Sequence, residues 1–256
     1  MGWTRACVRT VILIAATSAV FVVWTLGRPV AWVLGRSLAW RHLAYRTWAR
    51  ACCRCLGMRT LVRGRPPPAP CVLVSNHLSY VDIVLLASQV DCVFVSKAEI
   101  ARWPGMGFVA RCAGTIFVER ASKRRLPEVN ALIEAALEQG ERVAIFPEGT
   151  SSGGQAVLPF KPSLLEPAAA SRYPVYCAAL SYRTAPGYPP ASEAVCWWGD
   201  MTFGDHVFRL LRMSHFHASL ELGQESFLQD DRKELAHATW RTVAAMHEAL
   251  PDTAVP

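Results

Sequence analysis

Acidic residues are missing from the first 81 residues of the chain, and the first carboxylate is that of Asp82. The same segment carries eleven arginines, so the positive excess of a chain with a formal net charge of +7 lies there. A basic segment of this kind suits either nucleic acid or an anionic membrane surface. The apolar run within it decides between the two, and we predict a lipid bilayer and no nucleic acid as the partner.

Charged residues are also absent between Arg9 and Arg28, a stretch of 18 apolar or small residues. That length lies at the short end of a membrane-spanning helix, which needs about 17–25 residues. The apolar part of a cleaved signal peptide is shorter, about 7–15 residues, and a small-residue cleavage site follows it. Here LGRP (26–29) follows instead. We therefore expect a retained transmembrane helix over about residues 10–27.

The next segment, about residues 30–56, repeats arginines and aromatic residues at helical spacing. It predicts a basic amphipathic helix that lies among lipid phosphates or forms the second arm of a hairpin. An ordinary helix packed on the folded domain is the alternative. The arginines after residue 27 favour the cytoplasmic side, so we expect the inner (cytoplasmic) membrane with the folded domain facing the cytoplasm.

The proline-rich spacer RPPPAP (65–70) marks a boundary, which places a membrane anchor over residues 1–64 and a folded domain over 65–256. Beyond the spacer, strand-like and helix-like segments alternate. This alternation predicts an α/β fold with a mostly parallel sheet flanked by helices. The predicted strands are 71–75, 91–96, 115–119, 142–146, 174–183, 194–199 and 215–222, and the predicted helices are 79–89, 98–113, 126–139, 163–171 and 231–249.

The nine cysteines show no evenly spaced disulfide framework. Four of them lie in apolar strand-like runs, which predicts reduced and buried thiols: Cys71, Cys92, Cys177 and Cys196. The cluster at 52–55 lacks the second half of a zinc motif, and a structural zinc site needs four ligands. We therefore predict no metal.

The stretch SNHLSYVD (75–82) has two interpretations. Ser79 and Asp82 have the spacing of a capping box, which would start a helix. Alternatively, His77 and Asp82 form a catalytic pair. Residues five apart do not share a helix face, so contact requires His77 to lie in the loop before the helix. That position, after a strand, is where active sites of open α/β sheets lie.

Two further strand ends carry polar residues. FPEGTSSGG (146–154) offers a carboxylate, hydroxyls and backbone N–H groups that suit an anion or a developing oxyanion. It lacks the GxxxxGK[ST] pattern of a nucleotide-binding loop. GTIFVER (114–120) ends in Arg120, which could bind a phosphate with two parallel hydrogen bonds, although a single arginine at a strand end is more often solvated.

Together, NHLSYVD, GTIFVER and FPEGTSS resemble the motifs of the glycerolipid acyltransferase family, which contains the 1-acylglycerol-3-phosphate acyltransferases. The patterns NHxxxxD, GxxFxxR and FPEGT are met by Asn76, His77 and Asp82, by Gly114, Phe117 and Arg120, and by residues 146–150. The resemblance implies transfer of a fatty acyl group from acyl-CoA or acyl carrier protein to the free hydroxyl of a lysolipid. No cofactor is implied beyond this co-substrate.

The resemblance also implies residue roles. His77 would remove the proton of the acceptor hydroxyl, and Asp82 would orient His77. N–H groups near Gly149 and Thr150 would meet the oxyanion, while Glu148 and Arg120 would bind the head group. The implied substrate-binding residues are thus Arg120, Glu148, Gly149, Thr150 and Lys161.

One departure concerns the acceptor. The family often has arginine after FPEGT, where this chain has Ser151. The segment 146–168 resembles instead the lyso-ornithine lipid acyltransferase branch, whose acceptor is an aminoacyl lipid. Lys161 could replace the missing charge, so lysophosphatidate stays open. A lipid hydrolase is disfavoured because no GxSxG motif is present, and a non-catalytic membrane-binding protein would leave the three motifs unexplained.

Overall fold

The computed structural model describes residues 2–119, 126–171 and 173–247. Within these ranges seven strands form one sheet: β1 Met58–Arg63, β2 Cys71–Ser75, β3 Val93–Lys97, β4 Ile116–Val118, β5 Arg142–Ile145, β6 Val175–Thr184 and β7 Phe216–Phe227. Their order is β1-β7-β6-β2-β5-β3-β4. Neighbouring strands run parallel, apart from β6 and β7, which pair antiparallel. The predicted α/β fold with a mostly parallel sheet is confirmed.

Helices cover both faces of the sheet. They are α1 Gly2–Val33, α2 Ser37–Leu56, α3 Val81–Gln89, α4 Met106–Cys112, α5 Leu126–Glu138, α6 Glu166–Ala170, α7 Ala191–Ala194, α8 Phe203–Arg212 and α9 Arg232–Met246. One apolar core joins the sheet to α2, α3 and α8, and a second joins its other face to α5, α6 and α9. The four cysteines predicted to be buried lie in these cores or beside them, at 0–1% exposure.

Several predicted elements differ in the structure; the helix predicted over 163–171, for example, is a short 3₁₀ helix, Pro162–Leu164, followed by α6. The run 194–199, predicted as a strand, is the end of α7 and a loop, because its backbone bonds go elsewhere: Cys196 N–H donates to Ala191 and Trp197 N–H to Leu78. The predicted helix 98–113 is interrupted. A short 3₁₀ helix, Ala98–Arg102, precedes α4, and Gly105 between them has a φ of +72°.

The strand β1 was not predicted, and its residues fall in the segment assigned to the membrane anchor. It pairs in parallel with β7, from Met58 beside Phe216 to Arg63 beside Glu221, and so belongs to the sheet. Most of its side chains are exposed because it is an edge strand, so it lacks the apolar alternation that marks a half-buried strand.

The helix α2 packs on the folded domain, which is the alternative left open by the sequence. Its buried face consists of Tyr45, Ala49, Cys52, Cys53 and Leu56. Three of its arginines reach the domain: Arg41 pairs with Glu141, Arg46 with Asp91, and Arg50 donates to the carbonyl of Ser88. Several of the arginines expected among lipid phosphates therefore have protein partners.

The helix α1 lies along α2 and is tied to the domain at its first turns. Trp48 Nε1 donates to Thr17 Oγ1 at 3.0 Å. The Arg9 guanidinium donates to the carbonyls of Met213 and Ser214, at 2.5 and 2.8 Å, beyond the end of α8. Of the described helices, α1 is the one that is long and apolar enough, by length and composition, to cross a membrane. Only 6% of the residues in its most apolar 18-residue stretch are buried in the protein.

Candidate active site

The loop after β2 places His77 at the carboxyl edge of the sheet. The fully buried side chain of Asn76 anchors this loop. The Asn76 amide forms two bonds with one residue of β6: Leu180 N–H donates to Oδ1 at 2.8 Å, and Nδ2 donates to the Leu180 carbonyl at 2.9 Å. Because both backbone groups of Leu180 are engaged, the chain leaves β2 in a fixed direction.

The predicted contact between His77 and Asp82 is present. His77 Nδ1 lies 2.7 Å from Asp82 Oδ2. A carboxylate only accepts hydrogen bonds, so Nδ1 carries a hydrogen, and in the neutral ring Nε2 then has the lone pair. Among the described residues none hydrogen-bonds Nε2, and the side chain is 23% exposed. The Phe146 ring stacks on the imidazole, with 4.3 Å between the ring centroids.

Asp82 is fully buried and accepts four hydrogen bonds. Besides His77, its Oδ2 accepts from the N–H groups of Leu78 at 2.6 Å and Ser79 at 3.0 Å. Its Oδ1 accepts from the Tyr182 hydroxyl at 2.6 Å. Tyr182 was missed by the sequence analysis, although a tyrosine on the inward-facing side of a buried strand needs a partner for its hydroxyl.

The predicted capping box is half formed. The helix α3 begins at Val81, two residues later than expected, and Tyr80 is its N-cap residue. Asp82 accepts from Ser79 N–H, as the carboxylate of a capping box does. The Ser79 hydroxyl, however, has no hydrogen-bond partner among the described residues. Asp82 therefore both closes the first turn and holds His77.

Glu148 lies behind the His77 loop. It is 1% exposed, and its Oε1 accepts from His77 N–H at 3.3 Å. On the other side, Ser152 N–H donates to the His77 carbonyl at 3.0 Å. The FPEGTSS loop thus holds both backbone groups of His77. In this structure the Glu148 carboxyl supports the His77 loop, and the head-group contact expected for it stays a prediction.

Three of the remaining predicted substrate-binding residues, Gly149, Thr150 and Lys161, lie on or near the same loop. Gly149 N–H, expected to meet the oxyanion, donates to the Phe146 carbonyl at 3.2 Å, while Thr150 is exposed. Gly149 has a φ of +72°, and a side-chain carbon built onto it would lie 3.1 Å from Lys161 Nζ. Lys161 is therefore brought to the loop. Arg120 lies outside the described residues.

Ser151, the residue that departs from the family pattern, faces into the protein. Its Oγ donates to the Trp197 carbonyl at 2.5 Å. Trp197 N–H in turn donates to the Leu78 carbonyl at 2.8 Å. The loop after α7, which was predicted to be a strand, therefore connects the FPEGTSS loop to the His77 loop.

The sequence and the fold are similar to those of known proteins. Residues 59–181, which contain all three motifs, match the model of the Acyltransferase family. A lyso-ornithine lipid O-acyltransferase from Rhodobacter capsulatus is 33% identical over 220 residues, which are 77% of this chain and 76% of the relative. Another, from Pseudomonas aeruginosa, is 35% identical over 213 residues, 82% of this chain and 80% of the relative.

The chain belongs to the acyltransferase family. A 1-acyl-sn-glycerol-3-phosphate acyltransferase from Neisseria meningitidis serogroup B is 34% identical over 145 residues, 53% of this chain and 57% of that one. The crystal structure of the 1-acyl-sn-glycerophosphate acyltransferase PlsC from Thermotoga maritima has the same fold, with a TM-score of 0.59 at 18% identity over 93% of this chain and 97% of that one. The protein is an enzyme, an acyltransferase of the lysolipid type.

An aromatic cluster adjoins the edge of the sheet at which His77 lies in this acyltransferase. Tyr80 and Trp103 each lie edge-to-face on Trp197 and Phe203, with ring centroids 5.1–6.1 Å apart. All four side chains are half-buried. Tyr80 is the N-cap residue of α3 and follows His77 by three residues, so the cluster forms an apolar wall beside the site. No group of three or more His, Cys, Asp or Glu suited to a metal ion occurs in the described part of the chain.

The carboxyl of Glu148 should make the stability of the acyltransferase depend on pH. Burial raises its pKa to about 8, aided by Asp82, while the His77 N–H opposes the shift. An acid with a raised pKa stays protonated in the folded state while the unfolded chain ionises, so the free energy of unfolding falls as pH rises from about 4.5 to 8. Each pKa unit of difference is worth about 1.4 kcal/mol.

We expect Glu148→Gln to remove this dependence, because a neutral amide of the same shape has no proton to lose. The free energy of unfolding is measured by denaturant titration at pH 5 and at pH 8. Between these two values it should fall by at least about 2 kcal/mol more in wild type than in the variant. Glu134→Gln, a change in α5, serves as the control and should follow wild type. Parallel pH dependence in Glu148→Gln and wild type would show that Glu148 is ionised in the fold.

Proposed function

We propose that this acyltransferase moves a fatty acyl group from acyl-CoA or acyl carrier protein to the free hydroxyl of lyso-ornithine lipid, in membrane lipid biosynthesis. The observation that carries the chemistry is the His77–Asp82 pair, 2.7 Å apart, with the second ring nitrogen unbonded to any described residue. A hydroxyl is a weak nucleophile at neutral pH unless a base takes its proton, and an imidazole is the side chain suited to this task.

In the proposed mechanism, His77 Nε2 accepts the proton of the acceptor hydroxyl as its oxygen bonds to the thioester carbonyl carbon. Asp82 stabilises the imidazolium through Nδ1–H, and its other three donors keep the carboxylate in place. The carbon–sulfur bond then breaks, and His77 returns the proton to the departing thiolate. No acyl-enzyme forms, because the hydroxyl attacks the thioester directly.

The tetrahedral intermediate carries a negative charge on the former carbonyl oxygen. An N–H group aimed at that oxygen stabilises it, and loop backbone at a strand end provides such groups. Thr150 is exposed on the loop that holds His77, whereas Gly149 N–H is engaged with Phe146. We therefore assign the oxyanion donor to Thr150.

The proposed acceptor rests on Ser151. An arginine after FPEGT would place a guanidinium where it could bind a phosphate. Ser151 instead donates its hydroxyl to the Trp197 carbonyl and presents no charge. An ornithine head group has no phosphate, so it does not require a phosphate-binding arginine at this position. The relatives from Rhodobacter capsulatus and Pseudomonas aeruginosa carry the name of this acceptor.

Lysophosphatidate is the second candidate acceptor, and one observation favours it. The Lys161 ammonium lies beside Gly149 and supplies a positive charge at the same loop. A lysine binds phosphate as a point charge, without the two parallel hydrogen bonds of an arginine.

The acceptor is tested with purified protein in detergent, supplied with an acyl donor and either lysolipid. We expect a kcat/KM at least tenfold higher for lyso-ornithine lipid, measured by mass spectrometry of the diacylated product. Acyl-CoA and acyl carrier protein are compared in parallel to identify the donor. If wild type instead prefers lysophosphatidate and Lys161→Ala loses that preference, lysophosphatidate is the acceptor and the proposal of lyso-ornithine lipid is wrong.

We further propose that α1 and α2 form a hairpin that lies on the inner membrane, with the catalytic domain facing the cytoplasm. This differs from the spanning helix expected over residues 10–27. Arg9 binds the domain at one end of α1, and α2 is tied to the domain by the ion pairs of Arg41 and Arg46. A hairpin attached in this way presents the outer apolar face of α1 to the bilayer without crossing it.

The exposed apolar face of α1 should control membrane binding. Val11, Ile14 and Val22 are 56–66% exposed. We expect the triple change to aspartate to lower the fraction bound to phosphatidylglycerol-containing vesicles by at least tenfold, in a sedimentation assay, because charges oppose burial in lipid. The matched control, Leu132→Asp with Leu228→Asp, alters exposed leucines elsewhere. If vesicle binding falls equally in both variants, the apolar face of α1 is not the membrane contact.

A further inference from the structure

The ring of His247 joins three parts of the chain at the end of α9. The helix ends as His247 N–H donates to the Val243 carbonyl at 2.9 Å, and the side chain turns toward the sheet. Nδ1 lies 3.1 Å from the Leu180 carbonyl and 3.2 Å from Ser181 Oγ. Nε2 lies 3.0 Å from the Gly154 carbonyl. No catalytic role was predicted for this histidine from the sequence.

The chemistry of these neighbours fixes what the ring does. Carbonyl oxygens only accept, so Nε2 must carry a hydrogen to bind Gly154. In the neutral ring Nδ1 is then an acceptor, and the Ser181 hydroxyl can donate to it. In the protonated ring Nδ1–H can donate to Leu180. In both states the bond to Gly154 is kept.

Leu180 is also the residue that holds the start of the His77 loop. Its N–H and carbonyl both bind the Asn76 amide, and its carbonyl oxygen lies 3.1 Å from His247 Nδ1. One backbone unit of β6 therefore contacts both the residue before His77 and the ring at the end of α9.

Gly154 lies in the loop that holds His77 from the other side. Within this loop, Glu148 accepts from His77 N–H and Ser152 N–H donates to the His77 carbonyl. Gly154 follows Ser152 by two residues. A displacement at Gly154 therefore changes the position of Ser152 and with it the orientation of the His77 backbone.

We propose that His247 is a positioning residue: it fixes Gly154 relative to Leu180 and Ser181 of β6 and so sets the orientation of His77. This inference rests on the proposed role of His77 as the base. Leu180 is held in addition by Asn76, so the orientation of the loop depends on the bond to Gly154. A displacement of about 1 Å at a reacting group can lower a rate by up to about 10²-fold.

Two amide substitutions separate the contacts of His247. An asparagine places its amide nitrogen at the same distance from Cβ as Nδ1, and a glutamine places it at the distance of Nε2. His247→Gln can therefore still donate to Gly154, whereas His247→Asn reaches only Leu180 and Ser181. His237→Ala, at an exposed position on the same helix, is the control.

The experiment measures kcat and KM for donor and acceptor, well below the melting temperature of each variant. We expect His247→Ala and His247→Asn to lower kcat about tenfold with KM changed less than twofold. His247→Gln and the His237→Ala control should stay within threefold of wild type. The inference would be overturned if kcat fell equally in the Gln and Asn variants, or if kcat fell only in proportion to the fraction of each variant that is folded. An active His77→Ala would instead overturn the proposed function.

Discussion

Replacing His77 with alanine should lower kcat for acyl transfer by about 10²–10⁴, the usual contribution of a general base. The effect should fall on kcat rather than on KM, because the imidazole acts on the reacting proton and contributes little to lipid binding. The measurement is product formation by purified protein at saturating donor and acceptor. Stability should change little, since the ring is partly exposed.

The control for this change is His217→Ala, an exposed histidine on β7. It should keep wild-type turnover. A His77→Ala protein that is folded, as judged by its melting temperature, and that retains near-full turnover would remove His77 from the mechanism. A loss confined to KM would assign it to lipid binding instead.

Changing Asp82 should have the second large effect, on both activity and stability. Asp82→Asn keeps the size of the side chain but brings an NH₂ group toward groups that also donate hydrogen bonds. The amide also removes the charge that stabilises the imidazolium. We expect kcat to fall by about 10²–10⁴. The free energy of unfolding should fall by about 1–3 kcal/mol for a buried donor left without an acceptor.

Tyr182→Phe gives a graded comparison with Asp82→Asn. It removes one of the four donors to Asp82 and leaves the His77 bond intact. Its kcat should fall by about tenfold or less, since the carboxylate keeps its contact with the imidazole. If Tyr182→Phe were as damaging as Asp82→Asn, the hydroxyl of Tyr182 would itself take part in the reaction, and the assigned roles would be wrong.

Much of the site could be predicted because its residues are close together in the sequence. The contact between His77 and Asp82 depends on a strand end, a short loop and the first turn of a helix, all within eight residues. The carboxyl ends of parallel strands meet at one edge, so the FPEGTSS loop could be expected beside this loop as well. Local pattern and sheet geometry suffice for such features.

The supporting residues could not be predicted because they are distant in the chain. Tyr182 lies 100 residues from Asp82, and the bond depends on which strand lies beside β2. That order, with β6 next to β2, brings Leu180 to Asn76. Periodicity along one segment contains no information on strand order. The antiparallel pairing of β6 with β7 was unpredicted for the same reason.

The N-terminal helices illustrate a second limit. Hydropathy identified α1 and arginine spacing identified α2, but neither shows what a helix face contacts. Arg41 and Arg46 of α2 have acidic partners at Glu141 and Asp91, far along the chain. An arginine-rich helix can bind phosphates or carboxylates, and the choice depends on the tertiary fold.

The most direct measurement of the central claim is mass spectrometry of both product and protein in one reaction. The purified acyltransferase is incubated with an acyl donor, with and without lyso-ornithine lipid, beside His77→Ala. We expect diacylated lipid only when the acceptor and His77 are both present, and an unmodified protein mass throughout. An acylated protein that accumulates without acceptor and disappears when acceptor is added would contradict direct attack by the lysolipid hydroxyl.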